Sequence, residues 1–328
     1  MTQTCSICKS NDSKHFRYYV GDLEKQLTRL KYSYFYKLLN FTNTLTKSKL
    51  SFINNTLYYY DHVLDSFFKG DIIHCLNCKH GYWNCPPSDE ILNFYYKFGY
   101  RNIIPLATIR IPYFKYVIGK ISNLFNYNVV IGLRYLRNII YKYPKWSSRP
   151  VNQIDFVISD LKNFDKRELL LLEIGGSVCQ PLRLLREKLI GKLVNIDCVE
   201  PDKQYKQRYL RENINLVSEY FPFKCTKQYD YIHTSHWLEH VVDWKITLRD
   251  IREILCENGL LFIEVPNANN IDSLKGDHSE IPHIHFFSAT SLKLCLQNLG
   301  YDIVRMEVKE GVIKALSRKS TINFCSNA

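Results

Sequence analysis

From about residue 151 onward the chain alternates short apolar runs with stretches of helical periodicity, and that alternation leaves few folds open. Residues 169–174 (LLLLEI) read as a strand apolar on both faces, and 181–189 as a helix with basic residues between its leucines. Residues 192–199 (KLVNIDCV) predict a second strand ending at Glu200-Pro201, followed by a charged, exposed helix over 202–212. YDYIHT at 229–234 predicts another strand, and 244–256 a helix stopped by Asn258-Gly259. LLFIEV at 260–265 is a strand ended by Pro266; 288–299 is a helix with Ser288 as N-cap and Gly300 just past its end. Strands over 301–308 and 312–317 complete the set. Such alternation implies an α/β fold with a doubly wound, mostly parallel sheet.

In that architecture ligands bind outside the carboxyl ends of the strands, near the topological switch point. Glu173-Ile174-Gly175-Gly176-Ser177 falls at one of these ends. Glycine there lets the main chain approach a ligand that a Cβ would push away. Glu200 ends the next strand, where a carboxylate can accept both hydroxyls of a ribose.

Four segments, LLLLEIGG, NIDCVEPD, YDYIHTSHWLEHVVDW and LRDIREILCENGLLFIEVPN, occur in order and at suitable spacing. Together they resemble the motifs of class I S-adenosylmethionine-dependent methyltransferases. The N-terminal CxxC pairs followed by WNCPPSDEILNFYYKFGY are similar to the zinc-headed members, which include sugar C-methyltransferases. The resemblance covers residues 151–317 well, 5–100 in outline, and 18–70 and 101–150 hardly at all. It implies that Glu173 fixes the amino group of the cofactor's methionine part and that Gly175 and Gly176 lie against it. It also implies that Glu200 takes the ribose hydroxyls, Ser218-Glu219 sits near the adenine, and Ser235 and His236 line the pocket near the sulfonium. The family's loop carries further glycines where this chain has Ser177 and Cys179; Ser177 is small enough to stay at the cofactor, whereas Cys179 would narrow the site.

Histidines supply the candidate bases, because imidazole titrates near neutrality. In HWLEH at 236–240 the metalloprotease order HExxH is absent, and the methyltransferase resemblance implies that His236 faces the pocket and His240 supports the loop by hydrogen bonding. The sugar C-methyltransferases that the chain resembles carry Tyr-His-Glu-His before an aromatic-Ser step. Here the element is Pro282-His283-Ile284-His285, followed by Phe286-Phe287-Ser288. His285 is retained as a second candidate base, with a structural histidine as the alternative.

Cys5-x-x-Cys8 and Cys75-x-x-Cys78 supply four thiolates on short turns that suit tetrahedral zinc. Four buried or redox-active thiols are the alternative reading. Four sulfurs leave no open coordination position, so the metal would be structural. Cys85 and the remaining cysteines lack partners at such spacing and read as core.

Three domains follow: a zinc-binding domain with a Tyr/Lys-rich insertion over 1–100, a basic, aromatic, helical linker over 101–150 ending in a WSSR segment, and a methyltransferase domain over 151–328. There are 44 Lys and Arg against 32 Asp and Glu, a formal net charge of +12. That balance favours anionic partners, or simply solubility. No secretory leader or uninterrupted apolar membrane span is evident, so a reducing cytoplasm is the expected setting. The expected function is methyl transfer from S-adenosylmethionine to a small polar acceptor such as a nucleotide-linked sugar or glycan precursor. Two alternatives stand beside it: an RNA acceptor for the basic, Tyr-rich segments, and a non-catalytic binding protein with an altered cofactor loop. Oligomeric state is not legible.

Overall fold

The computed structural model describes residues 4–17, 71–84, 86, 92, 148–202, 205–268 and 283–320. The 18–70 insertion, the helical periodicity at 113–141, Cys85 and Pro282 lie outside the described residues.

The strands are β1 (Ser13–Arg17), β2 (Asp71–Cys75), β3 (Gly81–Trp83), β4 (Glu168–Ile174), β5 (Leu193–Val199), β6 (Ile214–Ser218), β7 (Tyr229–Ser235), β8 (Leu255–Pro266), β9 (His285–Phe286), β10 (Tyr301–Lys309) and β11 (Val312–Lys319). The helices are α1 (Ser148–Lys162), α2 (Gln180–Lys188), α3 (Lys206–Arg211), α4 (Trp244–Ile254) and α5 (Ala289–Asn298), with a 3₁₀ turn at Leu238–His240.

The main sheet has seven strands in the order β10-β11-β8-β7-β4-β5-β6. Strands β6, β5, β4, β7 and β8 run parallel, and β11 and β10 close the edge antiparallel. The antiparallel pair follows from its connection. Glu310 (φ 52°) and Gly311 (φ 77°) make a two-residue turn with both central residues left-handed, the geometry that matches strand twist in a hairpin. The fold is therefore Rossmann-like with a mostly parallel sheet, as the alternation predicts.

Strand β4 shows why this stretch is an unbroken leucine run. Leu169 and Leu171 enter one core with Ile154, Leu182 and Leu185; Leu172 and Ile174 enter the other with Leu248, Ile251 and Leu292. A strand covered on both faces reads as continuous apolar sequence instead of alternating.

Three elements differ from the sequence expectation. The WSSR segment is no linker throughout, because Ser148 and Arg149 already belong to α1; Pro150 is tolerated there since the first helical turn lacks intrahelical N–H partners anyway. Strand β6 was not foreseen. It is entered through Asn213, whose positive φ of 51° turns the chain directly after α3. Helix α4 stops at Ile254 and β8 begins at Leu255, ahead of Asn258-Gly259. Gly259 instead serves a bulge in the β7–β8 pairing, where an added Cβ would stand 2.9 Å from the Tyr229 carbonyl oxygen.

A second, four-stranded sheet has the order β1-β2-β3-β9. Its fourth strand comes from residues 285–286, so the N-terminal cysteine-bearing module and the main domain share a sheet. Cys5, Ile7, Cys75 and Cys78 also share one core with Phe287, Leu292 and Cys295. Two polar links fasten the seam: Ser288 Oγ donates to the Cys78 carbonyl at 2.6 Å, and Asn298 Nδ2 donates to the Ile7 carbonyl at 3.2 Å. No helix among the described residues is long and apolar enough to cross a membrane.

Candidate active site

A cleft of about 730 Å³ opens at the carboxyl ends of β4, β5 and β7, the switch point from which the sheet winds both ways. Gly175, Ser177, Glu200, Glu219, Ser235 and His236 line it, together with Leu92, Arg149, Trp237 and His240.

The loop after β4 is bent by three left-handed residues, Gly175 (φ 70°), Ser177 (φ 51°) and Cys179 (φ 47°). At Gly175 an added Cβ would meet Trp237 Cδ1 at 2.8 Å, so only glycine lets the indole lie on the loop. At Gly176 an added Cβ would meet Glu173 Cγ at 2.8 Å and Cys179 Sγ at 3.0 Å. Gly176 therefore makes room for buried neighbours beneath the loop. Cys179 does not narrow the cleft: its side chain is fully buried on the side away from it, among the leucines of α2.

Glu200 is held in place by the loop itself. Its Oε2 accepts from the Ser177 amide at 2.7 Å and its Oε1 from the Asp202 amide at 3.0 Å. These two N–H bonds orient the carboxylate at the cleft. Glu173 lies below the loop, and its Oε2 has no hydrogen-bond partner among the described residues. Burial pushes its carboxyl up to about 8, against a smaller opposing effect of a backbone hydrogen bond at Leu182.

On the other side of the cleft, Ser235 Oγ belongs to a network that the sequence did not reveal. Arg149 donates to Ser235 Oγ (2.6 Å) and to Glu264 Oε1 (2.8 Å), and Gln153 Nε2 donates to the same two atoms at 2.8 Å each. Glu264 is almost wholly buried, and a carboxylate so placed requires such partners. The signal available was the one acid inside the apolar run LLFIEV; Arg149 and Gln153 carried none, because they sit on a helix whose first turn read as linker.

His236 lines the cleft in a left-handed conformation (φ 49°), with Nε2 3.6 Å from Glu264 Oε1 and Nδ1 3.6 Å from Glu239 Oε1. Burial, with Arg149 and His240 adding to it, lowers its imidazole to about 3. His285 requires a correction. It is on β9, outside the residues lining the cleft. Its Nε2 donates to the Val242 carbonyl at 3.2 Å, and its Nδ1 lies 3.4 Å from His80 Nε2, with the two rings stacked 5.4 Å apart. With both ring nitrogens occupied in the seam beneath the N-terminal module, it has none left for a substrate proton.

The four predicted zinc ligands converge. Cys5, Cys8, Cys75 and Cys78 place their sulfurs within 4.8 Å of one another, with 3.7 Å between Cys5 and Cys78 and 3.4 Å between Cys8 and Cys75. Thiolates at about 2.3 Å from one tetrahedral zinc stand about 3.8 Å apart. The two turns match in detail: Lys9 and Lys79, each just after the second cysteine, are left-handed at φ 61° and 59°. The Cys5 amide donates to Ser10, and the Cys75 amide to His80, each at 2.8 Å.

Residues 152–306 match a family model described as a methyltransferase domain. The match makes residues 152–306 a methyltransferase domain, and the Rossmann-like sheet with its switch-point cleft supports its dependence on S-adenosylmethionine. The fold is also similar to solved structures at low identity. One is an S-adenosylmethionine-dependent methyltransferase from Clostridium acetobutylicum ATCC 824 (9% identity, TM-score 0.44, covering 60% of this chain and 100% of that one). Another is magnesium protoporphyrin IX methyltransferase from Synechocystis PCC 6803 (15%, 0.39, 52% and 82%). A third is a methyltransferase from Aquifex aeolicus (15%, 0.38, 51% and 97%). No curated protein sequence matches the chain.

Proposed function

We propose that the chain binds S-adenosylmethionine at the β4–β5–β7 cleft and transfers its methyl group to a small polar acceptor, a nucleotide-linked sugar or related glycan precursor. The observation that carries this reading is the pairing of Glu200, oriented by Ser177 and Asp202 amides, with the partnerless Glu173 Oε2 beneath the same loop. The two carboxyls suit a ribose diol and an ammonium respectively. When bound, the cofactor supplies an electrophilic methyl on a sulfonium. Gly175 and Trp237 would shape the floor beneath it, and Glu219 and Tyr220, which also line the cleft, would flank the base. The protein's contribution to the transfer is largely positioning. The cysteine cluster would hold one structural zinc. The net charge of +12 supports diphosphate attraction and keeps RNA as a second acceptor class.

Calorimetry with S-adenosylhomocysteine tests the cofactor assignment. Glu200→Ala should weaken binding by about 1–3 kcal/mol, the scale of a charge-assisted hydrogen bond; unchanged affinity in a folded variant rules the role out. RNA binding that falls steeply with salt would favour the second acceptor class over the first.

His236 is the candidate group for the acceptor's proton because it lines the cleft; lowered to about 3 by burial, its imidazole is neutral at pH 7 but a weaker base than a free histidine. In that role His236→Ala should lose about 10²–10⁴-fold in turnover with cofactor affinity retained. Near-normal turnover would mean that proximity alone suffices.

A further inference from the structure

Next to the cleft lies a second convergence of metal-type donors, with chemistry unlike that of the cysteine cluster. Glu239, His240 and His283 bring one carboxylate oxygen and two imidazole nitrogens within 4.8 Å of one another. His240 Nε2 stands 3.8 Å and His283 Nε2 3.9 Å from Glu239 Oε1. These separations exceed ordinary hydrogen bonds. Ligands at about 2.0–2.2 Å from one ion lie roughly 3–3.5 Å apart, so each imidazole need approach the carboxylate by only about half an ångström, and all three donors already lie within 4.8 Å of one another. The two imidazole rings are tilted 60° to each other, with centroids 4.9 Å apart, and are not stacked.

The fold holds this set firmly. Glu239 and His240 lie on the 3₁₀ turn after β7, and the Glu239 carbonyl accepts from the Ile284 amide at 2.8 Å, tying the turn to the segment that carries His283. Glu239 is 1% exposed, yet the neighbouring His240 lines the cleft. The cluster is thus buried on one side and faces the cleft on the other.

We propose that Glu239, His240 and His283 bind one divalent transition-metal ion, and that its open coordination positions take an oxygen donor of a hydroxyl-bearing acceptor at the cleft. Two imidazoles and a carboxylate suit zinc, cobalt or iron and fill only three positions, leaving room for water or substrate. The cysteine cluster differs in just this respect, since four thiolates close the sphere. The metal site itself depends only on the three donors; its use for an acceptor rests on the methyl-transfer reading.

The test uses the full chain, purified with its cysteine cluster zinc-loaded and then titrated with Co²⁺. One further equivalent should bind, with weak visible d–d bands and no thiolate-to-cobalt charge-transfer band. Glu239→Gln and His283→Ala, neither of which lines the cleft, should each lower cobalt affinity by more than about tenfold. Calorimetry of the same variants with S-adenosylhomocysteine checks that the fold persists. No second equivalent in the wild type, a thiolate signature on the bound cobalt, or wild-type affinity in both variants overturns the proposal. Cobalt binding with the nitrogen–oxygen signature in a protein that ignores S-adenosylhomocysteine would leave the metal site standing and sink the cofactor assignment; the converse result separates them the other way.

Discussion

Glu173 carries an unusual burden for a single side chain. A free glutamate ionises near 4.5, whereas burial raises Glu173 to about 8. The folded protein therefore holds a proton that the unfolded chain releases, and stability falls as pH rises from about 4.5 toward 8. At pH 7 the difference is about 3 kcal/mol, so Glu173→Gln should raise the thermal midpoint of the ligand-free protein. An ammonium ion placed at Oε2 reverses the preference and favours the carboxylate. Binding of S-adenosylhomocysteine should then release a proton and tighten by up to about tenfold per pH unit below 8, levelling above it. Calorimetry in buffers of different ionisation enthalpy reads the proton directly, and in Glu173→Gln both proton release and pH slope should vanish. A wild-type protein binding equally well at pH 6 and pH 8 would place the ammonium elsewhere.

At the level of elements, the strongly periodic segments were the legible ones. The doubly covered β4, the strand ending in Glu200 and the helix capped by Ser288 could be read because burial imposes a pattern on sequence. Strand β6 could not: it is five residues long, only Ile214 of its five is buried, and its start is set by a left-handed Asn213. The candidate site was legible only along the chain. Glu173, Gly175 and Glu200 stand at strand ends, whereas Arg149, Gln153 and Glu264 meet through tertiary folding that no spacing encodes. His285 shows the opposite failure, since a motif position did not reveal that β9 would turn its ring into the seam. Ser288 does two things at one element's end. It accepts from the Ser291 amide at 3.0 Å in a reciprocal capping box, and it donates to the Cys78 carbonyl. Ser288→Ala should therefore cost more than an ordinary cap, about 2 kcal/mol or above, and denaturant unfolding would measure it. A loss of a few tenths would show that the link across the seam is immaterial.

Taken whole, the molecule is built around a seam where the cysteine module meets α5 and β9. His80, fully buried, stacks there on His285 at 5.4 Å and meets Phe287 with its ring tilted 46°, at 5.0 Å. Zinc bound by Cys5, Cys8, Cys75 and Cys78 would thus support the methyltransferase domain as well as the module. Metal analysis of protein purified without chelator should find zinc in that cluster, and Cys75→Ser should lose it. The same substitution should lower the thermal midpoint of the whole chain by about 5 °C or more. An unchanged midpoint would mean that the module contributes nothing across the seam.

The shared sheet also bears on how the chain is made. β3 finds its neighbour in β9, which emerges from the ribosome about 200 residues later. Throughout that interval the nascent module carries an open strand edge and an uncovered apolar face, the two features that invite wrong pairings. The module can form its thiol cluster early, but completion of its sheet must await translation of most of the catalytic domain. Chaperones should accordingly stay associated with the nascent chain until residues 285–286 have emerged, which arrested chains of increasing length would show.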